Sequence, residues 1–331
     1  MGRLFIVILL FSISCTQDKL AEKINLTGEA QGTYYNIIYF DPLNRDLQTE
    51  IDSLLDDFDQ SVSLWVPNSI LSRINNNDTC AIPDKYFTDN FNLSKKVSKE
   101  THGAFDITVG PLVKSWGFGY DSNKQVDSII IDSLLKVIGF EKVDMINNHI
   151  VKQDSRTKID FNAIAQGYSV DMIGEFMESR QIHNFLIDIG GEVMAKGEKQ
   201  DGTLWKVGIE KPADDSDKPR DLTAVITLTD QSVATSGNYR KYFEKDGIRY
   251  SHIINPKTGY PAKHNLLSVS IISSNTALAD AYATACMIMG LDESITFIEE
   301  RSDLEAFFIY SNDEGQYDTY ITEGFNLLIV K

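Results

Sequence analysis

The first half of the chain combines one strand-like segment with three segments of helical periodicity. Residues 32–40 are aromatic and β-branched, which predicts a strand. In residues 46–60, four apolar side chains recur at i, i+3, i+4 and i+7, the spacing of an amphipathic helix. Two further helices are predicted over residues 84–103 and 127–139, because each periodic run ends at a glycine.

From residue 159 onward, helical and strand-like segments alternate. Helices are predicted over residues 163–180 and 277–290. Asp246-Gly247 is a preferred two-residue turn between alternating runs, so a hairpin is predicted over residues 240–254. The other predicted elements are a helix at 292–301 and strands at 184–191, 204–210, 222–229, 266–273, 304–310 and 325–330. Long hairpins mixed with helices predict an α+β fold, with antiparallel sheets packed against helices.

The N-terminus has the layout of an export signal. The apolar run Leu4–Ile13 is shorter than the ~18 residues that a membrane-spanning helix needs, and no later segment reaches that length. The position of Cys15 directly after the run resembles the site at which bacterial lipoproteins are cleaved and acylated. We therefore expect an exported protein that is lipid-anchored to a bacterial membrane and faces the periplasm. The predicted parts are a signal peptide (1–14), an anchor and short linker (15–27), and one domain (28–331).

The chain is strongly acidic, with a net charge of −17 and a pI near 4.7. Such a surface repels phosphate backbones, and the sequence has no compensating basic stripe, which argues against nucleic-acid binding. The negative charge of an anionic ligand such as a nucleotide would have to be compensated locally by backbone N–H groups, a metal ion or a few cationic side chains.

Four positions in loops or at helix and strand ends have both a structural and a functional interpretation. Trp65 is either a packed aromatic residue or a flat face for a planar ligand. Asp106 either forms a turn or accepts a hydrogen bond from a ligand. Asp160, with Asn162, either caps the following helix or marks a helix start that binds a phosphate. His252 is either structural or a group for proton transfer or phosphate contact.

The predicted helix at 277–290 is apolar apart from one acid, Asp280. Thr284 lies one turn further on the same face, with small alanine side chains around the pair. Asp280 either sits in the first turn and complements the helix dipole, or is buried and therefore paired, hydrogen-bonded or metal-bound. Because these oxygen ligands are hard, a metal here would be Mg²⁺ or a similar cation.

Together these segments resemble one family. The motifs are SLWVPNSILSRIN, GAFDITVGPLVKSWGFG, IDFNAIAQGYSVD, LIDIGGEV, VATSGNYRKYF, SHIINPKTGYP and ADAYATACMIMG. Their order and spacing over residues 28–331 are similar to those of the ApbE family, the FAD:protein FMN transferases. The resemblance implies Mg²⁺-dependent transfer of the FMN half of FAD to a Ser or Thr hydroxyl of an acceptor protein, with release of AMP.

The resemblance also implies roles for individual residues. Contacts to the flavin nucleotide are expected at Trp65, Ala104, Phe105, Asp106, Asp160, Gln166 and Ile253. The expected metal ligands are the carbonyl groups of Ala163 and Ala283, the carboxylate of Asp280 and the hydroxyl of Thr284. His252 is the candidate for proton transfer, and it forms the predicted catalytic set together with Asp280.

Three positions depart from the common family pattern. Gln31 stands where many members have Met, and Gln166 replaces a Lys or Glu. Asn255 replaces a more frequent Asp. None of the three positions is a predicted metal ligand, so the set of predicted metal ligands is complete. The uncharged Gln166, however, removes one charged contact to FAD.

The preferred hypothesis is a lipid-anchored flavin transferase that acts on a flavoprotein subunit of a membrane electron-transport complex. An FAD pyrophosphatase that yields free FMN and AMP could use the same site, with water in place of the acceptor hydroxyl. A third hypothesis is a lipoprotein that binds FAD without turnover.

Overall fold

The computed structural model describes residues 21–118, 127–212, 221–238, 242–245 and 248–330. The signal peptide and residues 15–20 of the predicted linker, including Cys15, lie outside these residues, as do the Asp246-Gly247 turn and residues 213–220. In the described part of the chain, no helix is long and apolar enough to cross a membrane.

Strands and helices are interspersed along the whole chain. The strands are β1 (Glu22–Ala30), β2 (Thr33–Asp41), β3 (Val143–Ile146), β4 (His149–Lys152), β5 (Phe185–Ile189), β6 (Glu192–Lys196), β7 (Trp205–Glu210), β8 (Leu222–Leu228), β9 (Gln231–Gly237), β10 (Tyr242–Lys245), β11 (Ile248–Ser251), β12 (Leu266–Ser273), β13 (Glu305–Ser311) and β14 (Tyr317–Ile321). The helices are α1 (Gln48–Val62), α2 (Ile70–Asn75), α3 (Lys85–Glu100), α4 (Gly110–Ser115), α5 (Ser128–Leu135), α6 (Ala165–Ser179), α7 (Thr276–Met289), α8 (Leu291–Glu299) and α9 (Glu323–Leu328), with a 3-10 turn at Phe140–Lys142.

The main sheet has the strand order β1-β2-β5-β6-β9-β12-β13-β14, and every neighbouring pair in it is antiparallel. The register pairs Tyr35 with Ile189, and Val193 with Val233. The β1–β2 turn, the β5–β6 turn and the C-terminal end of β9 therefore lie at the same end of the sheet. The α+β prediction is confirmed.

Helices α6 and α7 cover one face of this sheet and pack against each other. Helix α7 is buried almost all round, which explains its alanine-rich sequence. Gly167 permits the close approach, because a Cβ atom there would lie 2.5 Å from the carbonyl oxygen of Thr276. On β13, Phe308 joins this main core while Phe307 joins a second core on the other face, with Trp205 and Phe325.

Two sequence predictions about the chain ends need correction. Strand β1 begins at Glu22, inside the predicted linker 15–27, and pairs with β2 along its whole length. The predicted strand at 325–330 is instead largely helix α9, whose first turn gains a hydrogen bond from the amide of Phe325 to Glu305 Oε2 at 3.2 Å. A short apolar run does not distinguish strand from helix, so tertiary contacts decide.

The two cysteines in the described chain are free. Cys80 is exposed and Cys286 is buried in the main core, so they do not pair. Burial raises the pKa of the Cys286 thiol to about 12. Cys286 is therefore a small, unreactive core residue.

Candidate active site

A cavity of about 770 Å³ opens at the end of the main sheet where the β1–β2 and β5–β6 turns meet. Its volume is typical of a site for a cofactor-sized ligand. All but one of the residues predicted to bind flavin or metal line it: Trp65, Ala104, Phe105, Asp106, Asp160, Ala163, Gln166, His252, Ile253, Asp280 and Thr284. The exception is Ala283, which is fully buried and does not line the cavity.

Trp65 lies on the loop between α1 and α2 and is 59 % exposed, so it is not a packed core residue. Behind it, buried Phe58 stacks on Tyr168 of α6, with the ring centroids 5.6 Å apart. These contacts fix α1 against α6. An exposed indole on the cavity wall is suited to stacking on a planar ring system.

Asp106 has a structural role that uses both carboxylate oxygens. Its Oδ1 accepts from the amide and the hydroxyl of Thr108 at 2.8 and 2.6 Å, and its Oδ2 accepts from the amide of Phe140 at 2.9 Å. The structure therefore favours the turn-forming interpretation over direct acceptance from a ligand. Ala104 and Phe105, just before it, still present their surfaces to the cavity.

Asp160 does not cap helix α6. The helix begins at Ala165, and its N-terminus has no side-chain cap. Asp160 Oδ1 instead accepts from the amide of Asn162 at 2.8 Å and so shapes the preceding turn. Burial raises the pKa of Asp160 to about 6. The capping interpretation is wrong because the chain makes a turn between Asp160 and the first helical residue.

Asp280 lies inside α7 and not in its first turn. The N-cap is Asn275, whose side chain accepts from the amide of Leu278 at 2.9 Å. Asp280 is only 8 % exposed and accepts one hydrogen bond, from the amide of Gly167 to Oδ2 at 3.2 Å. Burial raises its pKa well above the usual range, and the nearby charge of Asp171 raises it further. The dipole interpretation is wrong, and the buried carboxylate needs a partner.

The surroundings of Asp280 fit a hard cation. Thr284 shares its helix face and lines the same cavity, and Ala163 lines the cavity two residues before the start of α6. Among the described residues, no three His, Cys, Asp or Glu side chains come together. A cation here would therefore bind one carboxylate supplemented by hydroxyl and carbonyl oxygens, a donor set that suits Mg²⁺.

Asp171 on α6 is important for the site, and the sequence analysis does not single it out. Its carboxylate accepts from the amides of Thr276 and Ala277 at 2.8 and 2.9 Å, so it caps helix α7 from outside. Burial raises the pKa of Asp171 to about 6. An acid on the buried face of a helix, four residues after Gly167, is the signal that could have identified it.

The cavity wall is completed by Gln166 and by two residues that follow β11, His252 and Ile253. Gln166 Nε2 donates to the carbonyl of Ile189 at 2.7 Å, which fixes the end of β5 next to the Gly190 turn. His252 lies edge-on to Phe118, with the ring centroids 6.2 Å apart. Ile253 is buried, and its carbonyl accepts from the amide of Ala262 at 2.9 Å.

Two further polar residues line the cavity without having been predicted as site residues. Gln31, in the β1–β2 turn, has a buried Nε2 group that lacks a partner among the described residues. Asp59, on α1, has a pKa raised to about 6 by burial and by the charge of Asp56. Asp59 does not stand out in sequence, because it lies in an acidic helix, whereas Gln31 is noticeable only as a departure from the common family pattern.

Comparison with known proteins assigns the family. Residues 31–308 match the model of the ApbE family. The chain belongs to the ApbE family. The predicted family is thus confirmed, and the match covers every element that lines the cavity.

Curated ApbE-family relatives carry one activity name. The FAD:protein FMN transferase of Vibrio cholerae (strain O395) is 34 % identical over 323 residues, which cover 95 % of both chains. The protein of the same name from Haemophilus influenzae is 32 % identical and covers 90 % of this chain and 89 % of its own. The predicted enzyme class, a transferase, agrees with these names.

Solved ApbE structures share the fold. The flavin transferase ApbE from Vibrio cholerae has a TM-score of 0.83 and 32 % identity, with 93 % of this chain and 99 % of that chain covered. The apo flavinyl transferase ApbE from Pseudomonas stutzeri has a TM-score of 0.83 and 28 % identity, with 93 % and 97 % covered.

Proposed function

We propose that this chain is an FAD:protein FMN transferase that moves the FMN half of FAD to a Ser or Thr hydroxyl of an acceptor protein and releases AMP. The names of its relatives support the reaction class. The observation that carries the proposal is the buried carboxylate of Asp280, which faces the cavity beside Thr284 with a single protein hydrogen bond.

The dinucleotide would lie along the end of the sheet. Gln31 at the β1–β2 turn and Thr235 near the end of β9 line the same cavity. Three strand spacings separate β2 from β9, which is about 14 Å at ~4.8 Å per strand. Trp65, which is 59 % exposed, offers aromatic surface for the flavin. The pyrophosphate and AMP would bind in the part of the cavity lined by the C-terminal end of β9 and by His252.

Asp280 and Thr284 would hold Mg²⁺ with their side-chain oxygens, and the carbonyl groups of Ala163 and Ala283 are the further predicted ligands. When bound, the ion supplies the positive charge that offsets the pyrophosphate in an otherwise acidic protein. Asp171 and Gly167 contribute indirectly: Asp171 caps α7, and the Gly167 amide orients the Asp280 carboxylate.

In the proposed step, the acceptor oxygen forms a bond to the FMN phosphorus, and the bond from that phosphorus to the bridging oxygen breaks. AMP leaves with the bridging oxygen. His252 lines the cavity and accepts the proton of the acceptor hydroxyl in this scheme. Positioning by the cavity walls is the other contribution of the chain, since phosphoryl transfer depends mainly on geometry and charge.

The acceptor belongs outside the cytoplasm in this proposal. The N-terminal apolar run and Cys15 support export and lipid anchoring to a bacterial membrane. An anchored enzyme would meet flavoprotein subunits of membrane electron-transport complexes on the periplasmic side. The proposed reaction requires that such a subunit present an accessible Ser or Thr hydroxyl.

The test is an incubation of the mature chain with FAD, Mg²⁺ and a candidate acceptor, read by intact mass and by AMP release. A gain of one FMN group on the acceptor is the expected result. AMP with an unmodified acceptor would instead indicate a pyrophosphatase. Binding of FAD with no AMP would indicate a carrier, and either outcome would overturn the proposed transfer.

A further inference from the structure

Helices α6 and α7 cap each other at their N-termini. The first turn of α6 has no side-chain cap of its own, and the amide of Gly167 in that turn donates to Asp280 Oδ2 on α7 at 3.2 Å. In return, the amides of Thr276 and Ala277 in the first turn of α7 donate to Asp171 on α6 at 2.8 and 2.9 Å. Each helix therefore supplies a carboxylate that accepts from the first-turn amides of the other, which have no acceptor within their own helix.

The two carboxylates are used differently. Asp171 is 7 % exposed, and each of its oxygens accepts from a backbone amide, Oδ1 from Thr276 and Oδ2 from Ala277. Asp171 is also not among the described residues that line the cavity. Asp280 does line the cavity, and within the described part of the chain only its Oδ2 accepts a hydrogen bond. Asp280 is therefore available as a ligand, and Asp171 is not.

A cation bound by Asp280 would lie close to the N-termini of two helices. Asp280 contacts the first turn of α6 and lies four residues after Thr276, the first residue of α7, which is about 6 Å along the helix axis. A helix N-terminus carries a partial positive charge of about half an elementary charge, so it opposes a nearby cation. Asp171 places a negative charge at the α7 N-terminus. Beyond the effect of burial, this charge raises the pKa of Asp280, so it acts on the predicted ligand through space.

We propose that Asp171 is a positioning residue of the cation site: it holds the N-terminus of α7 against α6, and its negative charge offsets that helix end so that Asp280 binds a divalent cation. This inference rests on the proposed function, in which Asp280 and Thr284 hold Mg²⁺. It assigns part of the cation affinity to a side chain that does not touch the ion. Because Ala163 precedes α6 whereas the other predicted ligands lie on α7, the contact also fixes the two groups of ligands relative to each other.

The test measures cation binding to FAD-free protein, so that it does not depend on turnover. Mn²⁺, which prefers the same oxygen ligands as Mg²⁺, is titrated and followed by electron paramagnetic resonance. Asp171→Asn removes the negative charge and leaves one of the two helix amides without an acceptor. We expect its dissociation constant for Mn²⁺ to rise about tenfold or more, as is typical when a residue behind the metal ligands is lost. The Mg²⁺ concentration for half-maximal AMP release should rise in parallel.

Asn275→Ala is the matched control, because Asn275 is the neutral N-cap of the same helix. Its side chain accepts from the amide of Leu278 at 2.9 Å. Both variants remove an acceptor from the first turn of α7, so both should lower the melting temperature. Asn275→Ala leaves the charge of Asp171 in place, so its Mn²⁺ affinity should equal that of the wild type. Asp171→Ser, which also removes the charge but keeps an acceptor oxygen, replaces Asp171→Asn if that variant does not fold.

Two results would overturn the inference. One is wild-type Mn²⁺ affinity in the neutral variant of Asp171. The other is an equal loss of Mn²⁺ affinity in that variant and in Asn275→Ala, which would show that a loosened α7 accounts for the effect. A wild-type protein that binds Mn²⁺ no better than Asp280→Asn would instead refute the cation site of the proposed function, so the two failures are distinguishable.

Discussion

Replacing Gly167 by alanine adds one methyl group where helices α6 and α7 meet. The new Cβ would lie 2.5 Å from the carbonyl oxygen of Thr276 and 2.8 Å from Cα of Ala277. Both are backbone atoms, so they move only if α7 moves. Overpacking of this kind costs typically about 1–3 kcal/mol, from which the better helix propensity of alanine recovers up to ~1 kcal/mol.

The same substitution at Gly174 is a matched control. Gly174 lies two turns further along α6, and a Cβ there would lie 2.5 Å from Sδ of Met194. A flexible methionine side chain can move aside at little cost. Gly174→Ala should therefore leave the free energy of unfolding unchanged or slightly higher, while Gly167→Ala lowers it.

Activity separates the two variants more strongly than stability does. The Gly167 amide donates to Asp280, and a shifted α7 moves that carboxylate relative to the other residues that line the cavity. We expect AMP release by Gly167→Ala to fall at least tenfold, with Gly174→Ala at the wild-type rate. Chemical denaturation and AMP release are the assays. Equal stability and equal turnover of the two variants would refute the packing argument.

Two further predictions concern single side chains. Burial raises the pKa of Asp59 from its usual value of 3.8 to about 6 in the folded chain. Between pH 3.8 and pH 6 the unfolded chain has therefore lost the Asp59 proton while the folded chain still holds it. The free energy of unfolding consequently falls as the pH rises through this range. Asp59→Asn should therefore raise the melting temperature relative to wild type at about pH 7.5 but not at about pH 4. The control Asp57→Asn, at an exposed position, should not raise the melting temperature at either pH. Equal behaviour of the two variants would contradict this reasoning. Trp65→Ala should weaken riboflavin binding about tenfold with little change in melting temperature, because stacking on an exposed aromatic contributes ~1–3 kcal/mol. Unchanged riboflavin affinity in a titration would exclude Trp65 from the flavin site.

Periodicity and motif order predict most of this fold and the location of the site. The helix over 277–290 and the strand over 32–40 are found close to their predicted bounds. Strand β1 and helix α9 were mispredicted, because one depends on pairing with β2 and the other on contacts with Glu305. The contact of Phe325 with Glu305 joins positions 20 residues apart, which local periodicity does not reveal.

The roles of individual polar residues were harder to predict than their positions. Asp106 and Asp280 both lie in recognisable motifs, yet the first accepts three hydrogen bonds from protein donors and the second accepts one. Asp171 was missed as a functional group, since its importance depends on the distant backbone amides that it caps. Sequence identifies candidate groups, and hydrogen-bond partners determine which of them remain available to a ligand.

The most direct test of the account is AMP release from FAD as a function of Mg²⁺ concentration, in wild-type protein and in Asp280→Asn. Asn keeps the shape of the side chain and removes a charge whose burial is unfavourable, so the variant should fold and bind AMP normally. We predict saturable Mg²⁺-dependent release by the wild type and none by the variant at any Mg²⁺ concentration. Turnover by Asp280→Asn at the wild-type rate would contradict the account.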